Sequence, residues 1–195
     1  QCPTLLYNGY GSHRIEGIGD KHVPWIHNIK TTDVVAGIDD QACMSLLRLF
    51  NEPEGRAYLK SEGVDPDVVD RLDVLGISGI ANVLTAVKTA RFFELGPRDM
   101  LFTVATDSME LYGSRFEEER ELHGPYTETT AAAHHERYVL GAAIDHMLEL
   151  GHWDRRRIHN LKYFTCVEQQ GKPVEELDAQ WYDDDYWTNH FHAWE

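Results

Sequence analysis

The sequence predicts an α/β fold, a parallel sheet with flanking helices, over residues 1–116, followed by a mainly helical extension over 117–195 with an aromatic and acidic tail. Three observations carry this expectation. Helix, strand, turn, helix and strand patterns follow one another between residues 40 and 105, the rhythm of an α/β layer. Within "DMLFTVATDS", residues 100–105 form an unbroken apolar run between turn signals, which suits a strand buried on both faces of a parallel sheet. Beyond Phe116 the pattern turns charged and then helical, and a long helical stretch over 127–150 closes at Gly151.

Element by element, the apolar residues 4–7 suggest a strand end before a glycine-rich stretch. "TTDVVAGIDDQACMSLLRLF" opens with a β-branched segment, and Asp39 or Asp40 then offers an N-cap. Apolar residues at 42, 43, 46, 47, 49 and 50 continue it with helical spacing. Residues 51–73 are polar, carry Pro and Gly, and read as a surface excursion with a short helix. "VLGISGIANVLTAVKTARFFELG" reads as a strand at 74–77, a small-residue turn and a helix closed by Gly96. Two more helices are expected near 154–170 and 175–181, and the final "WYDDDYWTNHFHAWE" shows no period.

Composition narrows the function. The 195 residues carry 33 acids and 18 bases, a formal charge of −15. Such a surface repels the phosphate backbone of nucleic acid and disfavours anionic lipid. No run is long enough to suggest a membrane span. Cys2, Cys43 and Cys166 are odd in number and outside any CxxC spacing, so free thiols in a reducing, cytoplasmic setting are expected. The opening "QCPTLLYNGY" has neither a basic n-region nor an apolar h-region. It reads as the continuation of a longer protein.

The stretch "GSHRIEGIGDKHVP" places glycines at 11, 17 and 19, each costly in backbone entropy unless something needs bare backbone there. "GISG" at 76–79 and "ATDS" at 105–108 are further candidate close-approach turns, since ligands of open α/β sheets bind where strands lead into helices. None is a phosphate fingerprint, for "GISG" lacks both the GxGxxG spacing and a P-loop lysine. On spacing alone they read as tight turns packed on neighbouring helices.

Taken in order, "GSHRIEGIGDKHVP", "LGISGIANVLTAVKTA" and "LFTVATDSMELY" resemble the carboxy-terminal part of the cysteine synthase and cystathionine β-synthase family. These are pyridoxal 5'-phosphate enzymes of the tryptophan-synthase-β fold type, and the resemblance covers roughly residues 8 to 115. It implies β-elimination or β-replacement on a serine- or cysteine-type amino acid, and a homodimer. Gly17 would lie beside the cofactor, with Glu16 and Ile18 next to the substrate. Gly76 and Ser78 would form part of the wall, and Ser108 would hydrogen-bond the pyridine nitrogen. A neutral hydroxyl there leaves the nitrogen unprotonated, which favours β-chemistry over transamination.

The family's Schiff-base lysine, substrate-carboxylate loop and phosphate cup belong to an amino-terminal half that this chain does not contain. Lys21, Lys30, Lys60, Lys88, Lys162 and Lys172 fall in no matching context, so no catalytic residue is assigned, and the chain alone is expected to be inactive. That half, on the same or a separate polypeptide, is the implied partner. Thr106 stands where proline is usual before the Asp-Ser pair, and the excursion at 51–73 is longer than in the compact synthases. A threonine-synthase-like or ammonia-lyase-like reaction is the runner-up on the same fold.

Other chemistries find less support. His134, His135, His146, His152, His159, His190 and His192 invite a metal, but "HHER" lacks the i, i+4 spacing of a helical zinc site. Cys43 and Cys166 sit in apolar helical patterns and read as core, and Ser45 and Ser114 lack a nucleophile elbow. The acidic runs read as solvated faces. A non-catalytic interaction part remains a different class of answer, because Trp153, Trp181, Trp187 and Trp194 would form sticky patches if unburied.

Overall fold

The computed structural model describes residues 2–192, His192 for its backbone only. Trp194 and the side chain of His192, both weighed above, lie outside the described residues. The chain is mostly helical, with a single two-stranded antiparallel sheet among the described residues. The expected parallel sheet with flanking helices is thereby corrected. In chain order the elements are α1 (Thr4–Tyr7), β1 (Val34–Ala36), α2 (Asp40–Asn51), α3 (Pro53–Ser61), α4 (Pro66–Val69) and α5 (Ile77–Phe92). They continue with α6 (Gly113–His123), α7 (Glu128–His135), β2 (Met147–Glu149), α8 (His152–Lys162), α9 (Val174–Tyr182) and α10 (Tyr186–His192).

Each departure from the expected α/β order has a local cause. Residues 4–7 form one helical turn, ended by Asn8 in the left-handed region at φ 57°. Leu72–Val74 is a 3-10 turn, and Gly76 becomes the N-cap of α5 because its N–H donates to the Asp107 carbonyl at 2.8 Å. No strand forms at 74–77. The run at 100–105 takes no regular structure, and Met100, Phe102 and Val104 are exposed. A buried strand needs neighbours on both edges and cover on both faces. Here the main chain of this run gains one side-chain bond, from Asn82 Nδ2 to the Val104 carbonyl at 2.8 Å. The helix expected over 127–150 stops early: α7 runs into a π turn at Glu136–Leu140, and β2 follows. Gly151, expected to close that helix, opens α8 instead.

The residues form two compact units. The first comprises Ser12–Gly19 and Ala36–His146; the second comprises Cys2–Gly11, Asp20–Val35 and Met147–Glu195. In the first, Asp39 caps α2 by accepting from the Gln41 N–H, as the sequence indicated. Helix α2 is buried from Ala42 to Phe50, its polar Ser45 and Arg48 included, and belongs to the core of the first unit. Leu46, Leu47 and Leu49 pack with Ile77, Ile80 and Leu84 of α5 and Ala131 of α7. Arg48, 2% exposed, donates to Glu52 and to the Gly124 carbonyl. Burial works to raise the Glu52 pKa, but bonds from Arg120 and Arg48 outweigh it and hold the carboxyl below its ordinary range.

The second unit closes around Leu6, Val23, Ile29, Val35, Leu150 and Ile158. Lys162 of α8 is fully buried, and its ammonium donates to the carbonyls of Trp25 (3.0 Å) and His27 (2.7 Å) and to Gln180 Oε1 (2.8 Å). One side chain thus ties the 20–35 segment to α8 and α9. Burial pushes its pKa down to about 8. His159, one turn earlier and 3% exposed, shares a hydrogen bond with the Leu177 carbonyl at 3.0 Å. Burial, with the Lys162 charge beside it, lowers the His159 pKa to about 4.

That shift predicts an acid transition in the second unit. The imidazole is harder to protonate folded than unfolded, so its share of stability is complete above pH 6.5 and is lost as pH falls from 6.5 through 4. Urea unfolding followed by tryptophan fluorescence should show a loss of about 3 kcal/mol across that window. His159→Gln should flatten the same window.

Candidate functional site

Three segments far apart in sequence, around residues 16–19, 76–79 and 105–112, meet in the first unit. Their contacts begin with two glycines. A Cβ on Gly17 would overlap the Ser78 hydroxyl. A Cβ on Gly76 would fall 2.5 Å from Asp107 Oδ1 and 2.6 Å from the Tyr112 ring. The bare backbone at both positions is therefore required by this chain's own side chains. Gly76 also joins the third segment through its N–H bond to the Asp107 carbonyl.

Ser78, in the first turn of α5, is 2% exposed, and its hydroxyl lacks a hydrogen-bond partner. Such an atom costs about 1–3 kcal/mol in lost hydration. The Tyr112 hydroxyl donates to Asp107 Oδ2, and the Thr106 hydroxyl donates to Oδ1 at 3.0 Å. Burial, then the Asp107 carboxylate, pushes the Tyr112 pKa up to about 12, and Ser78 acts in the opposite sense. The phenol stays protonated at neutral pH and serves as a donor. Ser108 is half-buried, with extended backbone at φ −106°, ψ 169°, before a 3-10 turn at Met109–Tyr112 that its hydroxyl does not cap.

Glu16 and Ile18 flank Gly17. Glu16 is exposed and paired with Arg115 of α6, while Ile18 packs on the core. Bonds to Glu16 and Glu118 raise the Arg115 pKa further above its ordinary value. Gly17, Gly76, Ser78 and the 105–108 turn are thus brought together, with Glu16 and Ile18 at the edge. Asp107, Tyr112 and Arg115 join them without having been singled out. Tyr112 lies one helical turn past Ser108, and that spacing was the available signal.

What this arrangement can do is hydrogen bonding and placement. Of the lysines, Lys60 pairs with Asp70 and Lys88 with Asp145, and Lys21, Lys30, Lys162 and Lys172 belong to the second unit. Cys43 is fully buried, and burial lifts its pKa to about 12, so the thiol is a core group at neutral pH. Cys166 is buried, Ser45 is buried on α2, and Ser114 is exposed. His134 shares a hydrogen bond with the Tyr126 hydroxyl at 3.0 Å, and His135 packs edge-on against Tyr58. Among the described residues, no three His, Cys, Asp or Glu side chains are grouped to hold a metal ion. No helix among them is long and apolar enough to cross a membrane.

Comparison with protein families, curated proteins and solved structures gives no match.

The Gly17–Ser78 contact yields a double-mutant prediction. Gly17→Ala alone should destabilise the first unit by about 1–3 kcal/mol through overpacking. Ser78→Ala alone should be neutral or slightly stabilising, because it removes an unpartnered buried hydroxyl. Combined, the two should recover most of the Gly17→Ala loss, a coupling that chemical denaturation of all four proteins measures directly.

Proposed function

We propose that this chain supplies one wall of the active site of a pyridoxal-phosphate enzyme that carries out β-elimination or β-replacement on a serine- or cysteine-type amino acid. The observation behind this reading is the meeting of the 16–19, 76–79 and 105–108 segments around one unpartnered hydroxyl. These are the same three segments whose order resembles the cysteine synthase and cystathionine β-synthase family.

The residues present suit part of such a site. Ser78 Oγ is a buried polar atom in need of a partner, and the half-buried Ser108 hydroxyl is free of capping duty. Ser108 would hold the pyridine nitrogen, with Gly76 and Ser78 as the wall beside it. The cofactor, when bound, supplies an electron sink for charge developing at the substrate α-carbon. Gly17, exposed beside Ser78, would lie next to the bound molecules, and Glu16, steadied by Arg115, would stand with Ile18 on the substrate side. Asp107 and Tyr112 hold the third segment against Gly76 and thereby place Ser108. The proton at the α-carbon is assigned to a lysine of the family's amino-terminal half, as the resemblance implies.

The alternative of a non-catalytic interaction subunit is favoured by one observation, the exposed Met100, Phe102 and Val104. An ammonia-lyase-like reaction would use the same wall and release a 2-oxo acid and ammonia, whereas a threonine-synthase-like reaction would add water and give a hydroxy amino acid; neither incorporates sulfide.

The test uses the enzyme purified together with the polypeptide that carries the Schiff-base lysine. Ser108→Asp should protonate the ring nitrogen, shift the cofactor absorbance and lower β-replacement turnover at least tenfold. Unchanged spectrum and turnover would remove Ser108 from the site. An interaction subunit would instead tolerate Ser108→Asp and lose assembly with Phe102→Asp.

A further inference from the structure

In the second unit, Lys30, His152, Arg155 and Trp181 line a cavity of about 420 Å3. Among the described residues its lining contains no carboxylate, although the chain has 33 acids against 18 bases. Arg155 also begins the one run of three consecutive basic residues in the sequence, Arg155, Arg156 and Arg157. Its guanidinium is fixed from behind: Nε donates to the Thr32 carbonyl at 2.9 Å and Nη2 to Asp33 Oδ1 at 2.9 Å. The Lys30 ammonium stands 5.8 Å from the centre of the Trp181 ring, and the Arg156 guanidinium 5.0 Å from it. The His152 ring meets the same indole edge-on at 5.7 Å.

Cations gathered on one opening repel one another, and in an acidic chain the simplest way to relieve that would be a carboxylate among them. Asp33 answers Arg155 alone and is not among the lining residues. An anion from outside would complete the arrangement. The volume falls within the range of small-molecule sites, roughly 300–1,000 Å3, and exceeds what a bare oxyanion fills. A pre-oriented guanidinium and a mobile ammonium suit a phosphate group, and the indole offers a flat apolar surface to whatever bears it.

We propose that this cavity is a binding site for a small aryl phosphate, with the phosphate between Lys30 and Arg155 and the aromatic body against Trp181. The site belongs to the second unit and does not depend on the catalytic reading of the first.

Isothermal titration of the full chain with phenyl phosphate and with inorganic phosphate, at fixed ionic strength, tests it. Saturable binding at one site is expected, with phenyl phosphate at least fivefold tighter than inorganic phosphate. Lys30→Gln should weaken it tenfold or more, whereas Lys60→Gln, an exposed lysine of the first unit, should leave it unchanged. Lys30 is exposed, so its variant should keep the wild-type circular dichroism; His152→Ala, also at an exposed position, provides a second disruption of the lining. Absence of saturation, equal affinity for the two probes, or equal losses in Lys30→Gln and Lys60→Gln would overturn the proposal.

Discussion

Steric exclusion at Gly17 and Gly76 governs the arrangement of the first unit's candidate site. With any side chain at residue 17, the Ser78 hydroxyl must move; with any at residue 76, Asp107 and the Tyr112 ring must move. At residue 17 the obstructing atom is an unbonded hydroxyl, whereas at residue 76 it is a hydrogen-bonded carboxylate and an aromatic ring, so the second overlap is the harder to relieve. The main chain of three segments can therefore approach closely, and the Gly76 N–H reaches the Asp107 carbonyl. The Tyr112–Asp107 bond and the Glu16–Arg115 pair then fix the outer edge of the cluster.

Polar groups are handled differently in the two units. The first gives its buried charges oppositely charged partners: Arg48 with the buried Glu52, Glu119 with the half-buried Arg14, and Lys88 with the exposed Asp145. The second buries the Lys162 ammonium against two carbonyls and an amide oxygen, which satisfies its donors without a counter-charge. The consequence is its depressed pKa and, through the same positive charge, part of the depression at His159. Against these satisfied groups, the Ser78 hydroxyl is one of four buried polar side-chain atoms without a partner among the described residues, with His13 Nδ1, His135 Nδ1 and Gln180 Nε2.

Helix α2 was legible in the sequence because its apolar spacing and its Asp39 cap are local properties. The β-branched residues of β1 were legible for the same reason. The run at 100–105 was not. Five apolar residues with Thr103 among them say that a segment favours burial and extension, but a strand exists only where other strands accept its hydrogen bonds, and spacing carries no information about them. Gly151 illustrates a second limit. A glycine after a helical pattern and a glycine before one look alike, and here it begins α8. Of the candidate site, the glycines and serines could be named from their order. Asp107, Tyr112 and Arg115 could not, since their roles arise from contacts across long stretches of chain.

The central claim is that residues 17, 76, 78, 107 and 112 share one site, and proton–proton distances test it most directly. Nuclear Overhauser spectra of the labelled chain should connect the Gly17 α-protons to the Ser78 β-protons, and the Gly76 α-protons to the Tyr112 ring. Finding both sets of cross-peaks is the predicted result. Well-resolved assignments for these residues with neither connection present would contradict the account.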